Sequence, residues 1–346
     1  MDYKLKYMLR CLQQARLGGG YTAPNPMVGA VLVCDDVIIG EGYHHRFGEP
    51  HAEPNAINSV VDKDLLRQST LYVNLEPCSY YGKTPPCANL IVSSEITRVV
   101  IGTLDPNPKV AGSGVEILRN AGVEVIVGVM ESECRELNKR FFIFQEQKRP
   151  YILLKWAQTR DGFIDRKRFD ISEPALLISN NITKQLTHQI RSENQAILVG
   201  SNTVLLDNPS LTVRNWSGKS PIRIALDRQG RIPENFNIKD GSIPTLIFTE
   251  KPHPNRKNLE YIKMEFDADN LRPILQKIYE RNIHSVLVEG GATILDSFIN
   301  AELWDEANIE ISPVCINVGV SAPKIPVQEI SCKIFENHQW LFFRKK

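Results

Sequence analysis

The chain has 346 residues, 42% of them hydrophobic, with 41 basic against 40 acidic side chains and a formal net charge of +1. That length favours two globular domains over one, and the even charge excludes a broad basic field for a nucleic-acid backbone. Seven cysteines, odd in number and scattered in spacing, do not make a disulfide framework. The start Met-Asp-Tyr-Lys-Leu-Lys carries no visible secretory signal, and no apolar run reaches the ~18 residues of a membrane span. A reducing cytoplasm is therefore expected, where thiols stay available to a metal.

In chain order, apolar residues at Leu5, Met8, Leu9, Leu12 and Ala15 predict an amphipathic helix over residues 2–17, stopped by Gly18-Gly19-Gly20. Val28 to Val33 reads as a buried strand, with a hairpin partner from Val37 to Glu41 across Cys34-Asp35-Asp36. Between helix and strand, Pro24 and Pro26 hold Asn25 in an extended segment. A fixed amide can donate to and accept from a pyrimidine edge; the same residues alone would make a rigid turn with a solvated Asn. His44 and His45, in the loop leading to His51, are expected to face substrate or solvent. Ala52 to Val61 is predicted helical, with Pro54 shifting its start slightly. Leu71 to Leu75 is a strand that delivers Glu76-Pro77-Cys78. A helix from Ala88 to Ser93 follows Cys87, whose thiolate its dipole favours. Strand Val99–Gly102, helix Gly114–Ala121 and strand Val123–Gly128 complete a three-layer α/β/α domain ending near residue 147.

His51, Cys78 and Cys87 offer one imidazole and two thiolates, donors that suit zinc, and three protein ligands leave a fourth position for water. Glu53, two residues after the histidine, is placed to carry protons. H-x-E followed by P-C and a second cysteine is the pattern of zinc-dependent nucleobase deaminases. Here eight residues, Ser79 to Pro86, separate the cysteines, where most of that class have two. A structural zinc site would want a fourth protein ligand, and none is placed for it. The expected chemistry runs from zinc, which acidifies its water, through Glu53, which takes the proton. Attack on the amine-bearing ring carbon follows, and Glu53 then protonates the departing nitrogen.

The run Glu76-Pro77-Cys78-Ser79-Tyr80-Tyr81-Gly82-Lys83-Thr84-Pro85-Pro86-Cys87 resembles the riboflavin-biosynthesis deaminases. So do Thr22-Ala23-Pro24-Asn25-Pro26-Met27-Val28-Gly29 before it and Asp105-Pro106-Asn107-Pro108 after it. Bifunctional members of that family carry a reductase behind the deaminase, and the resemblance covers nearly the whole chain. It implies a cytidine-deaminase-like domain over residues 1–147 and a dihydrofolate-reductase-like α/β domain over 148–346. Asn25 and Lys83 become substrate-binding candidates, although a lone loop lysine is more often solvated.

Glu131 to Gln147 reads as one connecting helix, ended by Lys148-Arg149-Pro150. After the strand Tyr151–Ala157 comes a turn, Gln158 to Gly162, and the segment Leu154 to Gly162 resembles the opening of the family's reductase domain. Lys155 is then the candidate substrate-orienting group and Ala157 a cofactor contact. Arg160 stands where a small apolar residue is expected. Helix Asn181–Glu193 carries Arg191 and leads into strand Ala196–Gly200. The following run, Gly200 to Arg214, is the strongest match in this half. By resemblance, Thr203 and Asp207 face the nicotinamide cofactor while Leu211 and Arg214 face the substrate. Arg191 and Arg214 suit a ribose phosphate, which guanidinium grips through two bonds. Where the family often has Ser-x-Trp-Ile, this chain has Ala175-Leu176-Leu177-Ile178. A backbone contact to substrate at Ala175 survives that change; an aromatic contact to cofactor at Leu177 does not.

Strand Pro221–Asp227 ends at Arg228, a candidate for the 2′-phosphate of NADP. No GxGxxG is present, so a Rossmann site is not supported. Strand Thr245–Thr249 and helix Leu271–Arg281 come next. Strand His284–Glu289 then runs into Gly290-Gly291-Ala292-Thr293 and a helix to Leu303, a geometry that suits a cofactor diphosphate at Gly291 and is also a common tight turn. Glu289 would lie near the reacting ribose. Ala307–Ile311 and Trp340–Phe343 are further strands. The resulting reading is a two-step enzyme. Using Zn2+, it deaminates a diaminopyrimidine ribotide. Using NADPH, it then reduces the ribosyl group to ribityl. It is expected to self-associate as a homo-oligomer, without nucleic-acid or membrane partners. Two readings compete. A tRNA or mononucleotide deaminase with an accessory domain predicts salt-sensitive nucleic-acid binding. A non-catalytic zinc module leaves Glu53 without a purpose.

Overall fold

Along β-strands of the first half, apolar side chains fill successive positions, the pattern of a sheet covered on both faces. A computed structural model, describing residues 4–80, 85–107, 110–267 and 269–345, shows that arrangement. Two units separate, residues 1–148 and 149–346.

The first unit runs α1 (Leu5–Arg16), β1 (Gly29–Cys34), β2 (Val37–Tyr43), α2 (Ala52–Ser59), β3 (Thr70–Leu75), α3 (Cys87–Ser93), β4 (Arg98–Thr103), α4 (Ser113–Asn120), β5 (Glu124–Val127), α5 (Glu131–Leu137) and α6 (Lys139–Gln147). Its sheet has the order β2-β1-β3-β4-β5; β1 is antiparallel to both neighbours, and β3, β4 and β5 are parallel. Ala30, Leu32, Leu71, Val73, Val99 and Ile101 pack with Ala56, Ile91 and Leu118 of α2, α3 and α4. The intervening Val31, Val33, Tyr72 and Val100 pack on the other face with Met8, Cys11 and Leu12 of α1 and Cys134 of α5. The two-residue period of a strand thus sorts neighbouring side chains into opposite layers, giving the expected three-layer cytidine-deaminase-like domain.

His51 is the extended residue that precedes α2, so Pro54 is its third helical residue. There the missing N–H has no intrahelical acceptor to lose. One expectation fails. Residues 131–147 form two helices instead of one, broken at Asn138 (φ −107°, ψ 23°). The Asn138 side chain is engaged elsewhere: Oδ1 accepts from Met27 N at 2.8 Å and Nδ2 donates to Met27 O at 2.9 Å. Asn74 also donates to Met27 O, at 3.1 Å, so the backbone just after Asn25 is held from two elements.

The second unit runs β6 (Tyr151–Gln158), β7 (Phe163–Asp165), α7 (Asn181–Ser192), β8 (Ala196–Gly200), α8 (Ser201–Asp207), β9 (Ile222–Leu226), β10 (Thr245–Thr249), β11 (Leu259–Lys263), α9 (Leu271–Tyr279), β12 (Ser285–Glu289), α10 (Ala292–Asn300), β13 (Glu306–Ile311), β14 (Val320–Ser321), β15 (Ser331–Phe335) and β16 (His338–Arg344). Nine strands form one sheet in the order β11-β10-β9-β8-β12-β6-β13-β16-β15, while β7 and β14 pair separately. The seven strands from β11 to β13 in that order are parallel, and the last two antiparallel. Ile152, Leu154 and Trp156 of β6 and Val286 and Val288 of β12 meet Ile274 and Leu275 of α9 and Leu295 and Phe298 of α10 in the main core. The alternate residues Lys155 and Glu289, paired in register, face the other way. A polar floor is thereby set at the carboxyl ends of the parallel strands, where open α/β sheets bind ligands.

Candidate active sites

Three elements bring the expected metal ligands together. His51 precedes α2, Cys78 follows β3 and Cys87 is the first residue of α3. The Sγ atoms of Cys78 and Cys87 lie 3.6 and 3.4 Å from His51 Nδ1, and all three donor atoms lie within 4.8 Å of one another. Zinc bonds of ~2.3 Å to sulfur and ~2.05 Å to nitrogen at a tetrahedral angle put the donors about 3.6 Å apart. One zinc ion fits this spacing and this donor set. In the ligands themselves, hydrogen bonding to Cys87, and then to His51, holds the Cys78 thiol well below the usual range. Its hydrogen bond to Cys78 raises the His51 imidazole to about 9. The Cys87 N–H, at the start of α3, donates to Cys78 Sγ at 3.3 Å, which favours thiolate as a helix N-terminus does.

Glu53 is the second residue of α2 and only 3% exposed. Burial raises its carboxyl to about 7, and the Cys87 thiol is within hydrogen-bonding reach. A carboxyl poised near neutrality, beside the ligands but outside the triad, suits a group that accepts and returns a proton.

The surroundings narrow one expectation, which gave His44 substrate or solvent to face, and add a residue. His44 does not face solvent; it is 2% exposed. Its Nδ1 lies 3.0 Å from Pro50 O and its Nε2 3.1 Å from Asn25 Nδ2. Since Pro50 O can only accept, Nδ1 donates and Nε2 receives the Asn25 amide. One ring thus ties the loop before His51 to Asn25 and packs edge-on to the His51 ring at 5.3 Å. His45, by contrast, is exposed. Glu76 was read only as part of a motif, yet its buried carboxylate accepts four backbone N–H groups. Oε2 takes Asp105 N at 3.2 Å and Gly112 N at 3.0 Å; Oε1 takes Gly114 N at 3.0 Å and Val115 N at 3.2 Å. It therefore caps α4 from outside the helix, satisfying donors that the first turn leaves open. Gly114 makes the approach possible, since a Cβ there would stand 2.1 Å from Pro77 O. Lys83 lies outside the described residues.

In the second unit a cavity of about 760 Å³ opens over the carboxyl ends of the strands, a size typical of cofactor and ligand sites. Lys155 and Ala157 of β6, Ala175 and Leu177 after β7, and Arg191 of α7 line it. Thr203 and Asp207 of α8 line the opposite side with Arg214, Glu289 and Gly291. Thr203 Oγ1 accepts the Gly291 N–H at 3.0 Å, which fixes the glycine pair before α10. A nicotinamide dinucleotide fits this combination of room, glycine backbone and helix N-terminus.

Two of the expected residues are not in that lining. Leu211 is 3% exposed and sits at φ 53°, so its side chain is buried in the turn. Arg228 pairs with Glu250 at 2.9 Å, because β10 ends beside it. Arg191 lines the cavity, but its guanidinium grips Glu289: Nε to Oε1 at 3.0 Å and Nη2 to Oε2 at 2.6 Å. Arg214 has no ion pair among the described residues and is exposed at the cavity. Lys184, Thr187 and His188 were missed, although their spacing with Arg191 puts them on one helix face. Arg168 was missed too. It bridges Asp165 and Asp207, so the Asp207 carboxylate is already engaged from within the chain.

Each half of the chain matches a known family. Residues 1–103 match the cytidine and deoxycytidylate deaminase zinc-binding region, and residues 150–333 match the RibD C-terminal domain. Riboflavin biosynthesis protein RibD of Aquifex aeolicus is 42% identical over 329 residues, covering 94% of this chain and 91% of that one. The protein of the same name from Bacillus amyloliquefaciens is 41% identical over 328 residues, covering 92% and 86%. A crystal structure of a diaminohydroxyphosphoribosylaminopyrimidine deaminase/5-amino-6-(5-phosphoribosylamino)uracil reductase from Thermotoga maritima superposes with a TM-score of 0.87 at 37% identity, covering 98% of each chain.

Proposed function

The chain belongs to the RibD family of riboflavin-biosynthesis proteins, and on that footing we propose that residues 1–148 deaminate a pyrimidine ribotide and residues 149–346 reduce its product. The protein is a bifunctional enzyme, a zinc-dependent deaminase and an NADPH-dependent reductase of riboflavin biosynthesis. Its substrates are diaminohydroxyphosphoribosylaminopyrimidine and then 5-amino-6-(5-phosphoribosylamino)uracil, the compounds named for the Thermotoga maritima relative. The observation that carries the deaminase assignment is the convergence of His51, Cys78 and Cys87 beside the buried Glu53.

Zinc, held by His51, Cys78 and Cys87, supplies acidification of water and polarisation of the reacting centre. Glu53 accepts one proton from the attacking water and delivers one to the leaving nitrogen, so water enters and ammonia departs in balance. Asn25, its amide held by His44, orients the pyrimidine edge. In the second unit NADPH supplies hydride. Ala157, Leu177, Thr203, Asp207 and Gly291 form its side of the cavity. Lys155, Ala175 and Glu289 form the ribosyl side, with Arg191 holding Glu289 in place. Arg214, exposed and unpaired among the described residues, is the anchor for the substrate phosphate.

One assay on the full chain tests the division of labour. With the diaminopyrimidine ribotide and NADPH, ammonia should appear before NADPH is oxidised. A zinc chelator should stop ammonia release yet leave oxidation intact when the deaminated compound is supplied. NADPH oxidation that fails even with that compound would overturn the reductase assignment. Chelation without effect on ammonia would overturn the metal assignment.

Self-association and a reducing compartment belong to the same proposal. Strand β15 is a terminal strand of the nine-stranded sheet, with Ile334 70% exposed on it and Ile330 59% exposed just before it. An unpaired sheet edge with exposed isoleucines offers a surface for pairing with a second copy. Sedimentation should give a mass of at least twice 39.2 kDa; a monomer at micromolar concentration would refute it. All seven cysteines are unpaired, which suits a reducing compartment. Among the described residues, no helix is long and apolar enough to cross a membrane.

A further inference from the structure

Beneath the cavity lining, on the strand beside that of Lys155, lies a carboxylate that the reaction so far does not use. Glu310, on β13, is fully buried at 0% exposure. It stands opposite Ala157 in register, one same-face step along from Asn308, the partner of Lys155. Its two oxygens are both taken. Ser179, which lines the cavity, donates its hydroxyl to Oε2 at 2.6 Å. His338, 5% exposed on β16, lies with Nδ1 2.8 Å from Oε1. A neutral imidazole donating through Nδ1–H leaves the carboxylate its charge; an imidazolium would cancel it.

Lys155 needs such a partner. It is 7% exposed, its ammonium lies 5.6 Å from the centre of the Trp340 ring, and no hydrogen bond from its Nζ is found among the described residues. Burial of an ammonium favours its neutral form, and here burial lowers the Lys155 pKa below its ordinary value. The charged groups facing it are Glu289, Glu310 and Arg191. Glu289, the larger of the two negative influences and the register partner of Lys155, is bound to Arg191 through two contacts. Glu310 is the second, and among the described residues no lysine or arginine forms an ion pair with it.

We propose that Glu310, steadied by Ser179 and His338, is a second counter-charge that, with Glu289, keeps Lys155 an ammonium on the floor of the reductase cavity. Glu310 is thus a positioning residue for the reduction, acting through Lys155. The inference rests on the reading that Lys155 faces the substrate.

The test uses the full chain with four variants: Lys155→Met, Glu310→Gln, Glu310→Asp and His338→Gln. NADPH binding by fluorescence titration confirms that the second unit is folded in each. Two readouts follow Lys155. One is the pH profile of kcat/KM for reduction. The other is the pH dependence of Lys155 labelling by an amine-reactive reagent, followed by peptide mass analysis. In Glu310→Gln both midpoints should move down by about one pH unit, the size expected for loss of a nearby opposite charge. NADPH affinity should stay within about two-fold, and Glu310→Asp should restore part of the shift. His338→Gln should move the midpoints the same way and less far; it carries the test if Glu310→Gln fails to bind NADPH. Lys155→Met should lose reduction by about 100-fold or more. Midpoints in Glu310→Gln that superpose on those of the native protein, with Lys155→Met inactive, would overturn the role of Glu310 alone. Full activity in Lys155→Met would overturn the reading of Lys155 beneath it.

Discussion

Glu53→Gln should leave a protein that holds its zinc and no longer releases ammonia. The substitution keeps the size and shape of the side chain at a position only 3% exposed, so packing in α2 is preserved. The proposed metal ligands are His51, Cys78 and Cys87, and none is touched. What is lost is a group able to take a proton from water and return it to nitrogen. An amide cannot do either near neutral pH, and general acid–base catalysis of this kind contributes about 10²–10⁴-fold. Because one residue serves both transfers, the loss should lie at or beyond the upper end of that range. Metal analysis should show one zinc per chain. Reduction of supplied 5-amino-6-(5-phosphoribosylamino)uracil should proceed at the native rate, because that chemistry belongs to the other unit. Deamination within ten-fold of the native rate would strip Glu53 of its role.

Glu76→Gln should damage the same unit through stability. The native carboxylate presents two acceptor oxygens, each receiving two backbone N–H groups. Glutamine replaces one oxygen with a donor, which then faces two other donors. Each buried group left without a partner costs about 1–3 kcal/mol. Two such groups amount to roughly 2–6 kcal/mol, or a fall of about 5–15 °C in the unfolding midpoint of a domain this size. Zinc affinity should fall with it, since Cys78 is two residues on and Gly114 packs directly on Pro77 O. Calorimetry with and without added zinc measures both effects. An unchanged midpoint would show that the four N–H groups do not depend on Glu76.

The two variants separate kinds of importance that the motif itself does not. Glu76 and Glu53 are both buried acids close to the ligands, but only Glu76 has its oxygens consumed by backbone. An acid whose lone pairs are occupied organises structure; one that burial pushes up to about 7 is available to protons.

Much of the fold was legible before any coordinates. Strands β1, β3 and β4 announce themselves by mostly apolar runs, and β6 and β12 do the same in the second half. Short elements were not legible. α8, β11 and β15 span five to seven residues each, too few for a period to stand out. The break at Asn138 was also invisible, because asparagine is tolerated within a helix and the reason for the break is Met27.

The amino-acid sequence by itself determined the metal site and the class of chemistry. Imidazole, thiolate and carboxylate are scarce groups with narrow uses, so their identity and order already restrict what they can do. The tertiary structure alone decided how the common polar groups are spent. Arg191 is held by Glu289, 98 residues away, and Asn138 by Met27, 111 residues away. His44 turns inward for Asn25, and Glu310 for Ser179 and His338. A hydrogen bond takes whichever partner the fold places within about 3 Å, and for groups that can pair with almost anything, only the packed chain makes that choice.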